Sequence, residues 1–245
     1  MPPVGSVVLS ELRRTIDNIE KAPAYGANTA PISLGAEEID AALPWGGLAR
    51  GGLHEINGEG GSFGFHAGLL RRAIGEKGYV LWCRHSIVER DTGLPYGPGM
   101  AHFGLKADQF LFVRSKHAID ILWAMEEGLR TPGLAAVVGD GITPDFTATR
   151  RLQLAAEATN IPAFILLPPR PSQQFVHPSA ALTRWYIKTI SSVETEKRMR
   201  LRADLLRCRG GAPKNWIIEW HEQTLCFHLA DMLVDGANAT YKETA

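Results

Sequence analysis

A strand, a glycine-rich turn and a helix follow one another between residues 52 and 76, and no other feature constrains the chain as much. Gly52-Leu53-His54-Glu55-Ile56-Asn57 has strand character. Gly58-Glu59-Gly60-Gly61-Ser62-Phe63-Gly64-Phe65-His66 comes next, and a helix is expected over about residues 67–76. This is the context in which a loop of backbone amides holds nucleotide phosphates. The working motif is G-x-x-x-x-G-K-[ST], with a lysine for the outer phosphates and a hydroxyl for magnesium. Counted from Gly58, the second glycine falls on Phe63. With one inserted residue it falls on Gly64, which puts Phe65 at the lysine position and His66 at the hydroxyl position. Neither alignment supplies the cation. An ion pair near 4 Å at surface-like dielectric is worth about 4 kcal/mol, and losing it weakens binding roughly a thousandfold. Backbone amides and the helix N-terminus would still favour an anion. Gly58, Gly60, Gly61, Ser62 and Gly64 are therefore read as a degenerate phosphate loop, with a plain glycine turn as the alternative. Arg71 and Arg72 lie two helical turns on, about 10 Å from the loop. ATP binding is expected to be weak at best, and no cofactor is assigned.

The rest of the chain decides between an enzyme and a relic of one. A nucleotide hydrolase of this build needs an acid just after its second core strand to activate water. Here that strand ends Trp82-Cys83-Arg84-His85-Ser86, with Glu89 and Asp91 further on. A magnesium-holding aspartate should follow another apolar strand, and Ala136-Val137-Val138-Gly139-Asp140 provides one, although an acid there also serves as a turn former. Two of three catalytic positions are missing, so a chain without catalysis is expected.

Strands are expected at 78–83, 109–114, 134–138 and 163–167, with helices at 118–130 and 147–159 between them. Apolar strands alternating with helices point to a parallel sheet covered on both faces. After Pro168-Pro169-Arg170-Pro171-Ser172 the pattern changes to strands at 184–190, 201–207, 216–220 and 226–229, expected as antiparallel additions. Upstream, residues 7–21 carry Leu9, Leu12, Ile16 and Ile19 on one helical face, a polar linker spans 23–31, and a short helix is expected at 36–43. The organisation read is an N-terminal helix and linker (1–31), one α/β core (32–234) and a loose tail (235–245).

The 245 residues have zero formal net charge, so any affinity for nucleic acid has to be local. The densest basic stretch is Lys197-Arg198-Met199-Arg200-Leu201-Arg202. Strand alternation puts Arg198, Arg200 and Arg202 on one side, and Arg207 and Arg209 lie close in sequence. These five arginines are candidate contacts to DNA or to an acidic partner; a solvated strand edge that resists aggregation is the plainer reading. Trp45 and Phe63 are candidate aromatic anchors or core residues. Cys83, Cys208 and Cys226 are not at zinc spacing and are expected as buried free thiols. The start of the chain lacks signal-peptide character and no apolar run reaches membrane-spanning length, so a cytoplasmic protein without membrane contact is expected.

Several segments in order resemble the ImuA family. They are Leu34-Gly35-Ala36-Glu37-Glu38-Ile39-Asp40-Ala41-Ala42-Leu43 with Gly46-Gly47-Leu48-Ala49-Arg50-Gly51-Gly52-Leu53-His54-Glu55, then Leu111-Phe112-Val113-Arg114 with Leu122-Trp123-Ala124-Met125-Glu126. Arg150-Arg151-Leu152-Gln153-Leu154-Ala155-Ala156-Glu157-Ala158, Arg184-Trp185, Leu206-Arg207-Cys208-Arg209-Gly210-Gly211 and Trp216-Ile217-Ile218-Glu219-Trp220 complete the set. The resemblance implies a RecA-like core of mainly parallel sheet flanked by helices, with late antiparallel strands. It implies an accessory role in DNA-damage-induced translesion mutagenesis beside an ImuB-like protein, an error-prone DnaE-type polymerase and RecA, with DNA as a further contact. An older grouping with SulA-like inhibitors of FtsZ and a weak nucleotide-gated ATPase are the rival readings.

Overall fold

Leu53–Glu59 forms β1, and its side chains alternate between the two faces of a sheet as a period of two requires. Leu53 enters one apolar cluster and Ile56 the other. The computed structural model describes residues 30–59, 62–93, 95–168, 177–190 and 199–230. The expected helix at 7–21, most of the linker and the tail at 235–245 lie outside them.

Four further parallel strands join β1: β2 (Tyr79–His85), β3 (Phe110–Ser115), β4 (Leu134–Asp140) and β5 (Ala163–Leu166). β6 (Thr183–Ile190), β7 (Arg200–Cys208), β8 (Lys214–His221) and β9 (Cys226–Leu229) complete one sheet in the order β3-β2-β4-β5-β1-β6-β7-β8-β9. The expectation that all late strands are antiparallel fails for β6, which pairs parallel to β1 from His54↔Thr183 to Glu59↔Lys188. β5 and β6 flank β1 on opposite sides, so the chain crosses over β1 and re-enters the sheet in the same direction. β7, β8 and β9 are antiparallel as expected.

The helices are α1 (Glu37–Asp40), α2 (Ser62–Ile74), α3 (Ser86–Thr92), α4 (Gly97–Ala101), α5 (Ala118–Arg130) and α6 (Phe146–Thr159). α1 is a single turn, shorter than the 36–43 expected, because Asp40 folds back to accept from the Leu34 amide at 2.8 Å and the Ser33 hydroxyl at 2.6 Å. α6 has clear stops: the Asp145 carboxylate accepts from the Ala148 amide at 2.7 Å, and Asn160 turns left-handed at φ 55°. α2 buries Phe65, Leu69 and Leu70 on one face of the sheet. Ile121, Met125 and Leu129 of α5 and Leu152 and Ala156 of α6 cover the other.

Cys83 and Cys208 are buried free thiols, and burial pushes the Cys83 thiol up to about 12. Cys226 departs from expectation: it is only half-buried, on β9 next to the His228 ring. Trp45 and Phe63 are partly buried and pack on the core rather than standing free.

Candidate functional site

The junction of β1 and α2 is where a phosphate loop would lie. β1 stays paired through Gly58↔Ile187 and Glu59↔Lys188, and α2 begins at Ser62, five residues earlier than expected. Only residues 60 and 61 separate strand from helix, and Gly60 and Gly61 lie outside the described residues. The physical reason is packing. Phe63 lies 6.1 Å from Trp82, and Phe65 lies 5.4 Å from Trp185 and 5.3 Å from Phe227, ring centre to ring centre. These contacts fold the second half of the glycine segment into helix against its local propensity.

The glycines have uses of their own. A Cβ on Gly58 would lie 2.0 Å from the Ile187 carbonyl oxygen, so close strand approach requires glycine there. The Gly58 amide donates to the Asn57 side chain at 2.8 Å. A Cβ on Gly64 would lie 2.6 Å from Met199, and one on Gly68 2.4 Å from Phe227. One turn apart, these glycines let Met199 and Phe227 lie on the backbone of α2.

Phe65, at the lysine position in the alignment with one inserted residue, is fully buried. His66, at the position of the hydroxyl, is fully buried edge-on between Trp82 at 5.2 Å and Phe164 at 5.5 Å. Neither ring nitrogen of His66 has a hydrogen-bond partner among the described residues, and burial lowers its pKa to about 3, so the ring is neutral. Arg71 and Arg72 are engaged elsewhere: Arg71 lies 4.0 Å from Glu76, and Arg72 donates to the Ser33 carbonyl at 2.8 Å.

Asp140 ends β4 where a magnesium ligand would be sought. Its carboxylate lies 3.1 Å from Nε of Arg84 and accepts from the Trp82 indole at 3.2 Å. Arg84 and Asp140 are register partners across β2 and β4. Burial raises the Asp140 carboxyl, and the Arg84 guanidinium opposes that shift. A divalent ion would have to displace a buried cation already paired with this carboxylate. The side chains of Glu89 and Asp91 lie outside the described residues.

A second buried ionic group gave only a faint sequence signal, an acid within an apolar strand. Glu55 of β1 is paired with Arg184 of β6 at 2.7 Å and accepts from the Ser179 hydroxyl. Arg184 also donates to the His177 carbonyl, and Arg207 donates to the Ser179 carbonyl, each at 2.7 Å. Burial raises the Glu55 carboxyl, with Arg184, Ser179 and Arg207 opposing it. The group ties the chain that enters β6 to the middle of β1.

The four described candidate arginines do not form one surface. Arg198 lies outside the described residues. Met199 and Leu201 face the core as alternation requires, and Arg200 and Arg202 point the other way. Arg200 is ion-paired with Glu219 on β8, and Arg202 with Asp204 at 2.9 Å. Arg207 and Arg209 are exposed near the far end of β7, about 20–30 Å from Arg200 at strand rise. Among the described residues no group of His, Cys, Asp and Glu could hold a metal ion. No helix among them is long and apolar enough to cross a membrane.

The arrangement as a whole is a RecA-like core. The crystal structure of the RadB recombinase shares the fold at a TM-score of 0.57 and 14% identity, over 82% of this chain and 100% of that one. No protein-family model matches the chain. "Protein ImuA" of Caulobacter vibrioides strain NA1000 / CB15N is 34% identical over 215 residues, 79% of this chain and 85% of that protein. Its counterpart in strain ATCC 19089 / CIP 103742 / CB 15 matches to the same extent. The chain belongs to the ImuA family.

Proposed function

We propose that this protein is a non-catalytic, RecA-like accessory factor in DNA-damage-induced mutagenesis, working in the cytoplasm as an adaptor. The observation that carries the reading is Phe65: the residue at the lysine position when the motif is given one inserted residue lies inside the core against Trp185 and Phe227. A RecA-like body without its nucleotide chemistry keeps the surfaces by which such bodies pack on one another. Membership of the ImuA family supports an ImuB-like protein, RecA and an error-prone DnaE-type polymerase as partners, with DNA as a further contact.

Calorimetric titration with ATP, with and without magnesium, tests the nucleotide half of this reading. No binding up to millimolar concentration is expected. Tight magnesium-dependent binding, or phosphate release abolished by Asp140→Ala, would move the protein to a nucleotide-gated ATPase. Association of the purified chain with RecA filaments and with ImuB tests the adaptor half. Failure of both, with direct FtsZ binding instead, would move it to a division inhibitor.

A further inference from the structure

One exposed face of α6 carries Phe146, Arg150 and Leu154 at four-residue intervals, with two apolar side chains on either side of a cation. The two apolar positions are about 12 Å apart along the helix axis. Facing this stripe is the end of β7 with Arg207 and Arg209, and between them lies a cavity of about 340 Å³. A second cavity of about 760 Å³ continues past Trp45 and Leu182. Glu157 and Arg209 line both, so the two form one trough along α6. Neither Arg150 nor Arg209 has a carboxylate within ion-pair distance among the described residues, unlike Arg151, which lies 2.7 Å from Glu126. The trough thus combines spare positive charge with exposed apolar surface.

We infer that this trough docks an acidic, amphipathic segment of a partner protein, with apolar side chains meeting Phe146 and Leu154 and carboxylates meeting Arg150 and Arg209. The proposal deepens the adaptor reading and rests on it. Charge complementarity selects the occupant. A guanidinium between two apolar side chains suits a helix with apolar residues two turns apart and acids between them. A nucleic-acid backbone offers phosphates but no aliphatic side chains to cover the exposed Phe146 and Leu154, so a protein segment fits the lining better.

The test is selection of a phage-displayed library of random 16-residue peptides on the full-length chain, with counter-selection on the double variant Arg150→Glu/Arg209→Glu. Enrichment of Asp and Glu together with Leu, Phe or Trp is expected. A synthetic peptide of the consensus, followed by fluorescence anisotropy, should bind at least tenfold more weakly to the double variant and to Leu154→Glu. It should bind unchanged to Lys77→Glu, an exposed position outside the trough. Thermal melts matching the unaltered chain establish that the variants are folded. Arg207 is left in place because it holds the Ser179 carbonyl. Absence of an acidic consensus, or equal binding to the double variant, overturns the proposal. So does displacement of the peptide by an equimolar 20-nucleotide single strand, or by a synthetic peptide of residues 7–21 of this chain. Peptide binding without association to the partners named above would remove the adaptor reading and leave the trough standing. Partner association undiminished in the double variant, with no peptide preference, would do the reverse.

Discussion

β1 serves two neighbourhoods that treat charge in opposite ways. In the middle of the strand, Glu55 is buried with Arg184 and Ser179, exposed Arg207 reaches in to the Ser179 carbonyl, and four segments are held by one carboxylate and its partners. At the strand's end, where a nucleotide-binding protein of this fold would concentrate positive charge, Phe65 and His66 are sealed among aromatic rings. The difference teaches what the chain needs charge for. Around Glu55 it orders backbone from four segments, whereas the first turn of α2 is packed with rings instead.

Phe65→Lys is the change most able to break this comparison. It removes the contacts to Trp185 and Phe227 and buries an unpaired ammonium, so a loss of at least about 3–5 kcal/mol is expected in chemical denaturation, with no gain of ATP binding. A folded, ATP-binding variant would show that the site is merely unoccupied by lysine rather than filled. Arg184→Ala attacks the other neighbourhood. Removing one partner of the buried pair strands Glu55, and a cost of about 3–5 kcal/mol is expected. A cost below 1 kcal/mol would mean that the buried carboxylate orders nothing.

Gly58→Ala sharpens the comparison, because Gly58 belongs to the phosphate motif by sequence and to strand packing by structure. A loss of about 1–3 kcal/mol, unchanged by added ATP, is expected from the clash with the Ile187 carbonyl. Protection by ATP would return the residue to a nucleotide role.

The effect that is smallest at neutral pH, and that grows with acid, is in the pH dependence. Burial lowers His66 to about 3 and His54 to about 4, so the unfolded chain takes up their protons first. The stability from keeping each ring neutral is complete above about pH 6.5, the ordinary histidine value, and falls as pH drops toward the folded values. The slope is about 1.4 kcal/mol per pH unit for each ring. Glu55 and Asp140, raised by burial, act with the opposite sign. Comparison with His66→Phe isolates one ring: this variant is expected to be as stable as the parent near pH 7 or more so, and less sensitive to acid. Equal slopes in the two proteins would contradict the burial of His66.

Where local pattern decides structure, the sequence was readable. The helix at 118–130 and the strand at 226–229 are found as read, because amphipathic spacing and a short stretch of apolar residues after a polar link are local properties. Direction was not readable for β6: a strand signal is the same whichever way the strand runs, and only its place beside β1 makes it parallel. The early start of α2 was hidden because glycine spacing signals a loop, while Phe63 and Phe65 find their partners at residues 82, 185 and 227. The arginine run shows both cases. Its alternation could be read, and so could Asp204 two residues from Arg202, on the same face of the strand. Glu219 comes opposite Arg200 only when β8 pairs with β7.

Met199, resting on Gly64, bears on the history open to this fold. A lysine at residue 65 would have to leave the core, Trp185 and Phe227 would have to close the gap behind it, and the residue before β7, Met199, would have to lift off the helix. Three separate packing contacts thus hold residue 65 in place, and a change at one of them leaves the other two opposing a new side chain there: the aromatic core acts as a ratchet on what this position can become.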